Sequence, residues 1–269
     1  MIFLKLGGSL ITDKTVPETP RLEAIRRLAE EIARARSELP ELRLLIGHGS
    51  GSFGHIVAAR HGTHRGASSK EDWAGFAEVW SAAARLNRLV VEALRAAGLP
   101  AMAFPPSASV IAEAGEIVEM AVEPIRRALE AGLVPVVAGD VAFDRQRGST
   151  IVSTERVFFY LGRLLRPTRL LLAGIERGVF ADYPANTRLL PAITEKDLPG
   201  IALAGAATTD VTGGMADKVL LAMRLAQELP DLEVRIFSGE EPGRVTDALL
   251  GGTPGTLVGS GKPSSGQVP

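Results

Sequence analysis

Three lysines and one histidine lie next to glycine-rich turns in this sequence. Lys5 precedes a Gly-Gly pair, Lys14 lies in the loop that follows it, His55 ends a glycine-rich loop, and Lys218 follows a second Gly-Gly pair. Glycine turns let backbone N–H groups converge on an anion, and lysine ammonium groups neutralise phosphate charge. This combination predicts a site that brings two phosphate-bearing molecules together despite their repulsion.

The glycine-rich loop Gly47–His55 reads Gly-His-Gly-Ser-Gly-Ser-Phe-Gly-His and follows an apolar run at 42–46. A strand, a glycine turn and a helix beginning after His55 predict a phosphate cradle. The spacing Gly-x-Gly-x-x-Gly also matches the dinucleotide fingerprint. However, the loop follows the second apolar run, and the acids at the expected distance, Glu71 and Asp72, begin a helix. A tight structural turn is the alternative interpretation.

Composition excludes several classes of protein. The chain is 46% hydrophobic, carries a formal charge of −1 and contains no cysteine. It therefore has no disulfide, no thiolate metal site and no cysteine nucleophile. It also has no overall basic charge that would favour nucleic acid or an anionic membrane. Since no stretch approaches the roughly 18 apolar residues of a membrane span and the N-terminus is unlike a signal peptide, we expect a cytoplasmic protein.

Short apolar runs alternate with longer amphipathic ones, which favours an α/β fold with a mainly parallel sheet. We expect strands over 2–6, 42–46, 133–137, 168–172, 234–237 and 256–258. Helices are predicted over 25–33, 76–94, 122–131, 153–165, 213–229 and 245–250, and hairpins over 109–118 and 141–152. A single domain over 1–259, whose lobes 1–166 and 167–259 meet near Pro167, would precede a flexible tail over 260–269.

Four segments of the chain together resemble the amino-acid-kinase superfamily and, within it, the isopentenyl phosphate kinases. They are Lys-Leu-Gly-Gly-Ser-Leu-Ile-Thr-Asp-Lys at 5–14, Gly-Ser-Gly-Ser-Phe-Gly-His at 49–55, Gly-Asp-Val at 139–141 with Asp144, and Asp-Val-Thr-Gly-Gly-Met at 210–215 with Lys218. The resemblance implies a three-layer αβα sandwich with a mainly parallel central sheet. It also implies an acceptor-binding lobe over 1–166, a nucleotide-binding lobe over 167–259 and a homodimer.

The same resemblance implies ATP-dependent phosphorylation of isopentenyl phosphate to isopentenyl diphosphate in isoprenoid biosynthesis. Mg²⁺ would accompany ATP and be held chiefly by phosphate oxygens. The implied catalytic residues are Lys5, Lys14, His55 and Lys218. Those implied for substrate binding are Gly8, Ser9, Gly51, Ser52, Gly54, His55, Phe76, Trp80, Gly139, Asp140, Ser153, Thr154 and Glu155. Those implied for ATP are Lys5, Gly7, Asp210, Thr212, Gly213, Gly214, Met215 and Lys218.

The helix over 76–94 is the expected wall of a pocket for the apolar tail of the acceptor. Phe76, Val79, Trp80 and Ala83 share one face of it. We expect Phe76 and Trp80, as large aromatic side chains, to close a five-carbon pocket. Packing in the hydrophobic core is the alternative for each of them.

Two segments depart from the family pattern. Ser153-Thr154-Glu155 stands where the family has Ser-Gly-Asp, and its glutamate keeps the charge but reaches one methylene farther. The segment 173–180 lacks the family's threonine and aspartates near the nucleotide. Two alternative functions therefore stay open: a kinase of a phosphonate antibiotic such as fosfomycin, and a non-catalytic nucleotide or metabolite sensor.

Four histidines, His48, His55, His61 and His64, fall within 17 residues of sequence. A histidine metal site is disfavoured because no carboxylate completes it and because the spacing spans both a loop and a helix.

Overall fold

The computed structural model describes residues 1–200 and 214–259. The strands β1 to β14 span Ile2–Leu6, Thr12–Asp13, Thr19–Pro20, Leu44–His48, Ala101–Ala103, Val110–Glu113, Glu116–Met120, Val134–Ala138, Asp140–Asp144, Gly148–Val152, Arg169–Gly174, Ala192–Ile193, Glu233–Ser238 and Thr256–Val258. The helices α1 to α8 span Gly8–Ile11, Leu22–Glu38, Gly51–His61, Lys70–Ala96, Glu123–Glu130, Thr154–Leu165, Gly214–Glu228 and Arg244–Leu249.

The central sheet has eight strands in the order β12-β14-β13-β11-β1-β4-β8-β5. The strands from β13 to β5 are parallel, and β14 runs antiparallel to β13. Such a sheet needs helices on both faces, which is why its strands read as continuous apolar runs in the sequence. A smaller sheet, β10-β9-β6-β7, lies beside it.

Helices cover both faces of the central sheet and make three layers. In β1, Leu4 and Leu6 pack with α2, α3, α4 and α8, while Phe3 points to the opposite face with α5, α6 and α7. The rings of Phe3 and Phe158 lie 5.1 Å apart between their centroids. Alternating strand residues thus fill two separate cores, and the predicted three-layer α/β fold is confirmed.

The predicted strands are observed with small shifts at their ends, whereas α2 and α4 are longer than the predicted helices over 25–33 and 76–94. The short elements α1, β2, β3, β5 and β12 are not predicted. Helix α3 begins at Gly51, inside the glycine-rich loop, and not after His55 as predicted. Ser50 precedes the helix, and its carbonyl already accepts the N–H of Gly54 at 3.2 Å. The glycines permit this close turn, so the second half of the glycine-rich loop forms the first turn of the helix.

The predicted tail, 260–269, lies outside the described residues. The boundary between two lobes near Pro167 stays a prediction, and β1 and β11 pair directly across it in the central sheet. Among the helices that the structure describes, none has the length and apolar character needed to cross a bilayer.

Candidate active site

A cleft, called here the main cleft, opens at the carboxyl ends of β11, β1, β4 and β8. β1 and β11 are neighbours in the sheet. The chain continues from β1 to β4 and β8 on one side and from β11 to β13 on the other, so the strand order reverses between β1 and β11. Open α/β sheets bind ligands at such a switch point. The cleft brings together many of the predicted residues: Lys5, Gly7, Gly8, Ser9, Lys14, His55, Gly139, Ser153, Thr154, Glu155, Gly214, Met215 and Lys218.

Lys5 forms a buried ion pair with Glu155, which lies in the first turn of α6. Burial lowers the pKa of the Lys5 ammonium, and Lys218 and Lys14 lower it further against the attraction of Glu155. Burial also opposes ionisation of Glu155, but the charges of Lys5 and Lys218 outweigh it and hold the pKa of that carboxyl below its usual value. The longer glutamate therefore reaches the lysine, and its charge opposes the effect of burial on the Lys5 pKa.

Two glycine turns meet backbone to backbone beside Lys5. A Cβ on Gly8 would lie 2.7 Å from the Gly51 nitrogen, and one on Gly49 would lie 2.8 Å from the Gly8 nitrogen. Gly51 has a φ of 50°, and its Cβ would lie 2.1 Å from Thr12 Oγ1. Because a Cβ has no room here, the two turns approach each other closely. Gly8 and Gly49 line the main cleft, whereas the predicted substrate-binding residue Gly51 is buried beneath it. The Gly49 N–H already donates to the Leu6 carbonyl at 3.0 Å.

Ser52 fastens these turns together. Its N–H donates to Thr12 Oγ1 at 3.0 Å, its Oγ accepts the N–H of Thr19 at 3.2 Å, and Thr12 Oγ1 in turn donates to the Gly8 carbonyl at 2.8 Å. Ser52 is buried and does not line the main cleft. The sequence predicts that it binds substrate, whereas the structure places it in the first turn of α3, where it contacts the β2–β3 hairpin.

A small apolar pocket, called here the side pocket, opens beside His55. It shares Ser50, His55, Gly139 and Ile151 with the main cleft. Its remaining lining residues are Gly54, Ala58, Val79, Ala83 and Asp140. A group held near His55 thus has an apolar space next to it, bounded by α3, α4 and β10.

Phe76 and Trp80 do not line the side pocket. Phe76 packs with Trp73 and Phe143, with ring centroids 5.5 and 5.1 Å away, respectively. Trp80 is 47% exposed and lines a neighbouring groove, called here the outer groove, which shares Ala83 and Asp140 with the side pocket. The rotation of α4 presents the smaller residues of its predicted face, Val79 and Ala83, to the side pocket.

Asp140 closes one end of the side pocket. Its Oδ2 accepts the N–H of Ser107 at 3.1 Å, and its Oδ1 accepts the N–H of Val141 at 2.8 Å. Burial raises the pKa of this carboxyl, against those hydrogen bonds. Asp144 lies farther out and accepts four backbone N–H groups, from residues 114, 115, 146 and 147, so it fastens two hairpin turns.

The N-terminus of α6 is tied to the glycine-rich loop. Thr154 Oγ1 donates to the His48 carbonyl at 2.6 Å. The buried His48 ring lies 3.3 Å from Asn87 Oδ1 through its Nε2, and burial lowers its pKa. The structure thus makes His48 and Asn87 part of the support for the site, and the only sequence signal was the position of His48 within the loop.

The side of the main cleft that the sequence predicts to bind the nucleotide is formed by α7 and by the end of β11. Lys218 and Met215 belong to the first turns of α7, and Gly174, Ile175 and Glu176 also line the cleft. The sequence predicts no role for these last three residues. Asp210, Thr212 and Gly213 lie outside the described residues.

The histidines lie apart from one another. His61 Nε2 lies 2.7 Å from Glu78 Oε2, while His48 faces Asn87. Within the described ranges, no group of three or more His, Asp or Glu side chains is arranged to hold a metal ion.

Comparison with known proteins gives the family. Residues 1–238 match the Amino acid kinase family. The chain belongs to this family. The match includes β1 with Lys5, the glycine-rich loop and α7 with Lys218, so the family's shared fold brings together the main cleft described above.

Family members of similar length extend the comparison. An isopentenyl phosphate kinase from Methanothermobacter thermautotrophicus is 37% identical over 93% of this chain and 96% of the relative. One from Methanocaldococcus jannaschii is 30% identical over 96% of this chain and 98% of the relative. A solved isopentenyl phosphate kinase structure has a TM-score of 0.81 at 33% identity, covering 96% of this chain and 99% of that one.

Proposed function

We propose that this family member transfers the γ-phosphoryl group of ATP to isopentenyl phosphate, giving isopentenyl diphosphate and ADP. The observation that carries the proposal is the apolar side pocket, which opens from a lysine- and glycine-rich cleft beside His55. An acceptor for this site has a phosphate next to a short hydrocarbon tail. The relatives named isopentenyl phosphate kinases, similar over nearly their whole length, support the same acceptor.

In this reaction, an oxygen of the acceptor phosphate forms a bond to the γ-phosphorus while the bond from that phosphorus to the bridging oxygen of ADP breaks. The acceptor phosphate is already ionised, so the site needs positioning and charge neutralisation more than a strong base. Lys5, Lys14 and Lys218 spread positive charge around the transferring group. His55 donates a hydrogen bond to the acceptor phosphate, and the N–H groups near Gly8 and Gly51 hold phosphate oxygens.

The residues of the main cleft fit ATP that carries its own Mg²⁺. Two carboxylates line the cleft, Glu155, which is already paired with Lys5, and Glu176. The other polar groups of its lining are ammonium, imidazole, hydroxyl and backbone groups. Phosphate oxygens would therefore supply most ligands of the ion. When bound, Mg²⁺ neutralises phosphate charge and withdraws electrons from the γ-phosphorus.

We further propose that the enzyme is a homodimer and that it works in the cytoplasm on a small isoprenoid monophosphate. The family resemblance supports the dimer, and the dependence on ATP supports the location.

The decisive experiment measures ADP release with Mg²⁺ and ATP in the presence of isopentenyl phosphate, of fosfomycin, or of no acceptor. Turnover that depends on isopentenyl phosphate is the expected result. Turnover only with fosfomycin would move the protein to the phosphonate kinases. Binding of ATP without turnover of either acceptor would contradict the proposal and favour a sensor.

A further inference from the structure

The loop that carries Lys14 is fastened to α4 by an ion pair that faces away from the main cleft. Arg85 Nε donates to Glu18 Oε2 at 2.8 Å, and its Nη2 donates to Glu18 Oε1 at 2.5 Å. Arg85 Nη1 donates to Ser81 Oγ, one turn back on the same helix, at 2.9 Å. Two parallel hydrogen bonds fix the orientation of the guanidinium and the carboxylate relative to each other. The bond to Ser81 holds the same guanidinium against α4.

The backbone around Glu18 needs such a contact. Glu18 has a φ of 48°, a left-handed conformation that side chains other than glycine rarely adopt. Its N–H donates to the Ser52 carbonyl at 3.3 Å, and the N–H of Thr19 donates to Ser52 Oγ at 3.2 Å. The end of the loop is therefore tied to α3 through Ser52 and to α4 through Arg85.

The loop between β2 and β3 is short, so its two ends are not independent. β2 and β3 pair in an antiparallel hairpin, and residues 14–18 connect them. Lys14 reaches the main cleft at one end of this connection, and Glu18 meets Arg85 at the other. The same helix α4 contributes Val79 and Ala83 to the side pocket. One rigid helix thus supports both the loop of Lys14 and the apolar side pocket.

We propose that Arg85 and Glu18 are positioning residues for phosphoryl transfer, because their ion pair holds the loop that presents Lys14 to the transferring group. The inference rests on the proposed function. An exposed ion pair contributes little to global stability, whereas a displacement of about 1 Å at a reacting centre can cost on the order of 100-fold in rate. The effect of breaking the pair is therefore kinetic.

The test compares Arg85→Gln, Glu18→Gln and the double variant with the wild-type enzyme. Each single variant is expected to lower kcat about tenfold, to leave KM for ATP within about twofold and to keep the melting temperature within about 3 °C. The kcat of the double variant should be no lower than that of either single variant, since the two substitutions remove the same contact. Glu92→Gln is the matched control, because it breaks the exposed Arg88–Glu92 pair on the same helix and should leave kcat unchanged.

Two further variants separate positioning from a general structural effect. In a Lys14→Ala background, Arg85→Gln should cause no further loss of kcat, because the loop no longer carries the ammonium group. The exchanged pair Glu18→Arg with Arg85→Glu should recover kcat to within about threefold of the wild type. Wild-type kcat in both single variants would overturn the inference. The inference would also be overturned if the losses of kcat multiplied in the double variant, or if Arg85→Gln lowered kcat further in the Lys14→Ala background.

Amide hydrogen exchange provides a readout that does not need turnover. In Arg85→Gln, the amides of Glu18 and Thr19 should exchange at least about tenfold faster, while those in the middle of α4 keep their wild-type rates. Unchanged exchange at Glu18 and Thr19 would overturn the inference whatever the acceptor proves to be. If the wild type turns over isopentenyl phosphate and the variants do so equally well, only the role of the ion pair is refuted. If the wild type shows no turnover, the proposed function is refuted.

Discussion

At the scale of single residues, the buried pair of Lys5 and Glu155 dominates the site. Both side chains are about nine-tenths buried, so each charge depends on the other for compensation. Removing one partner of such a pair leaves the other charge buried and uncompensated. We therefore propose that Glu155 serves the chemistry indirectly, because its charge compensates that of Lys5 beside Lys218 and Lys14.

We predict that Glu155→Gln lowers turnover at least 100-fold and lowers the free energy of unfolding by about 3 kcal/mol. Glu155→Asp keeps the charge with a shorter reach and should fall between the wild type and Glu155→Gln in both measurements. Kinetics with saturating ATP and urea unfolding would check this. Wild-type turnover in Glu155→Gln would contradict the role assigned to the pair.

The difference in stability should also depend on pH. The pKa of Glu155 is lower in the folded protein than in the unfolded chain. Its contribution to stability is therefore complete above the unfolded pKa of about 4.3 and is lost as the pH falls through the folded pKa. The gap in unfolding free energy between the wild type and Glu155→Gln should be constant near pH 6 and should narrow below about pH 4.

His55→Ala should reduce kcat/KM for the acceptor at least about 100-fold while the dissociation constant of ATP changes little. The physical reason is the loss of a donor to the acceptor phosphate at the junction of the main cleft and the side pocket. His61→Ala, which alters a histidine at the end of α3 that is paired with Glu78 of α4, is the matched control. Equal turnover in His55→Ala and the wild type would refute the assignment of the acceptor site.

At the scale of elements, the two ends of α3 use glycine differently. Gly51 and Gly62 both have left-handed φ values, 50° and 62°. A Cβ at Gly51 would clash with Thr12, whereas the nearest atom to a Cβ at Gly62 is an arginine carbon at 3.8 Å. Only the first glycine is needed for close packing.

Gly62→Ala should therefore cost about 1 kcal/mol of stability and leave kinetics unchanged. Gly51→Ala should cost more stability and should also raise the dissociation constant for phosphate ligands, because the Cβ pushes the loop away from the β2–β3 hairpin. Thermal unfolding and isothermal titration with ATP would check both. Similar results for the two alanine variants would show that the clash at Gly51 is relieved at no cost.

We expect helix α4 to limit the size of the acceptor tail, because Val79 and Ala83 line the side pocket. Ala83→Leu should fill the side pocket and raise KM for isopentenyl phosphate at least about tenfold, with KM for ATP unchanged. Trp80→Ala changes the outer groove and should have a smaller effect on this acceptor. If Trp80 closes the tail pocket, as the sequence predicts, Trp80→Ala should favour longer tails, and an assay with longer monophosphates tests this. An unchanged KM in Ala83→Leu would place the tail elsewhere.

At the scale of the whole molecule, one central sheet supports both sides of the main cleft. β4 and β8 end on the side where we propose that the acceptor binds, and β11 ends on the side proposed for the nucleotide, with β1 and Lys5 between them. Because these strands pair directly, we expect the sheet to fix the separation of the two bound phosphate groups. Lys5 lies at the centre since β1 is the strand next to the switch point.

Light scattering on the purified protein should give twice the mass of a single chain, as proposed for a homodimer. The mass should stay doubled on dilution to micromolar concentration if the interface has the area typical of stable dimers. The mass of a single chain under these conditions would contradict the dimer.

Local sequence predicted the buried strands, the phosphate site and the family of this protein. Apolar runs such as Ile2–Leu6 predicted buried strands because both faces of a parallel strand must be apolar. The glycine-rich loop and the lysines beside glycine turns predicted a phosphate site because these residue types act through their own backbone and charge. The motifs in order along the chain also predicted the family. Each of these motifs spans ten residues or fewer, so each can be recognised from neighbouring residues alone.

The tertiary structure decided which distant residues meet. Glu155 pairs with Lys5 across 150 positions of sequence, and Arg85 pairs with Glu18 across 67. The helical period put Phe76, Val79, Trp80 and Ala83 on one broad face, but the rotation of α4 against α3 and β10 brought only Val79 and Ala83 to the side pocket. The sequence determines its local conformations and their chemistry, whereas the packing of helices and strands sets how they are rotated and which charges become partners.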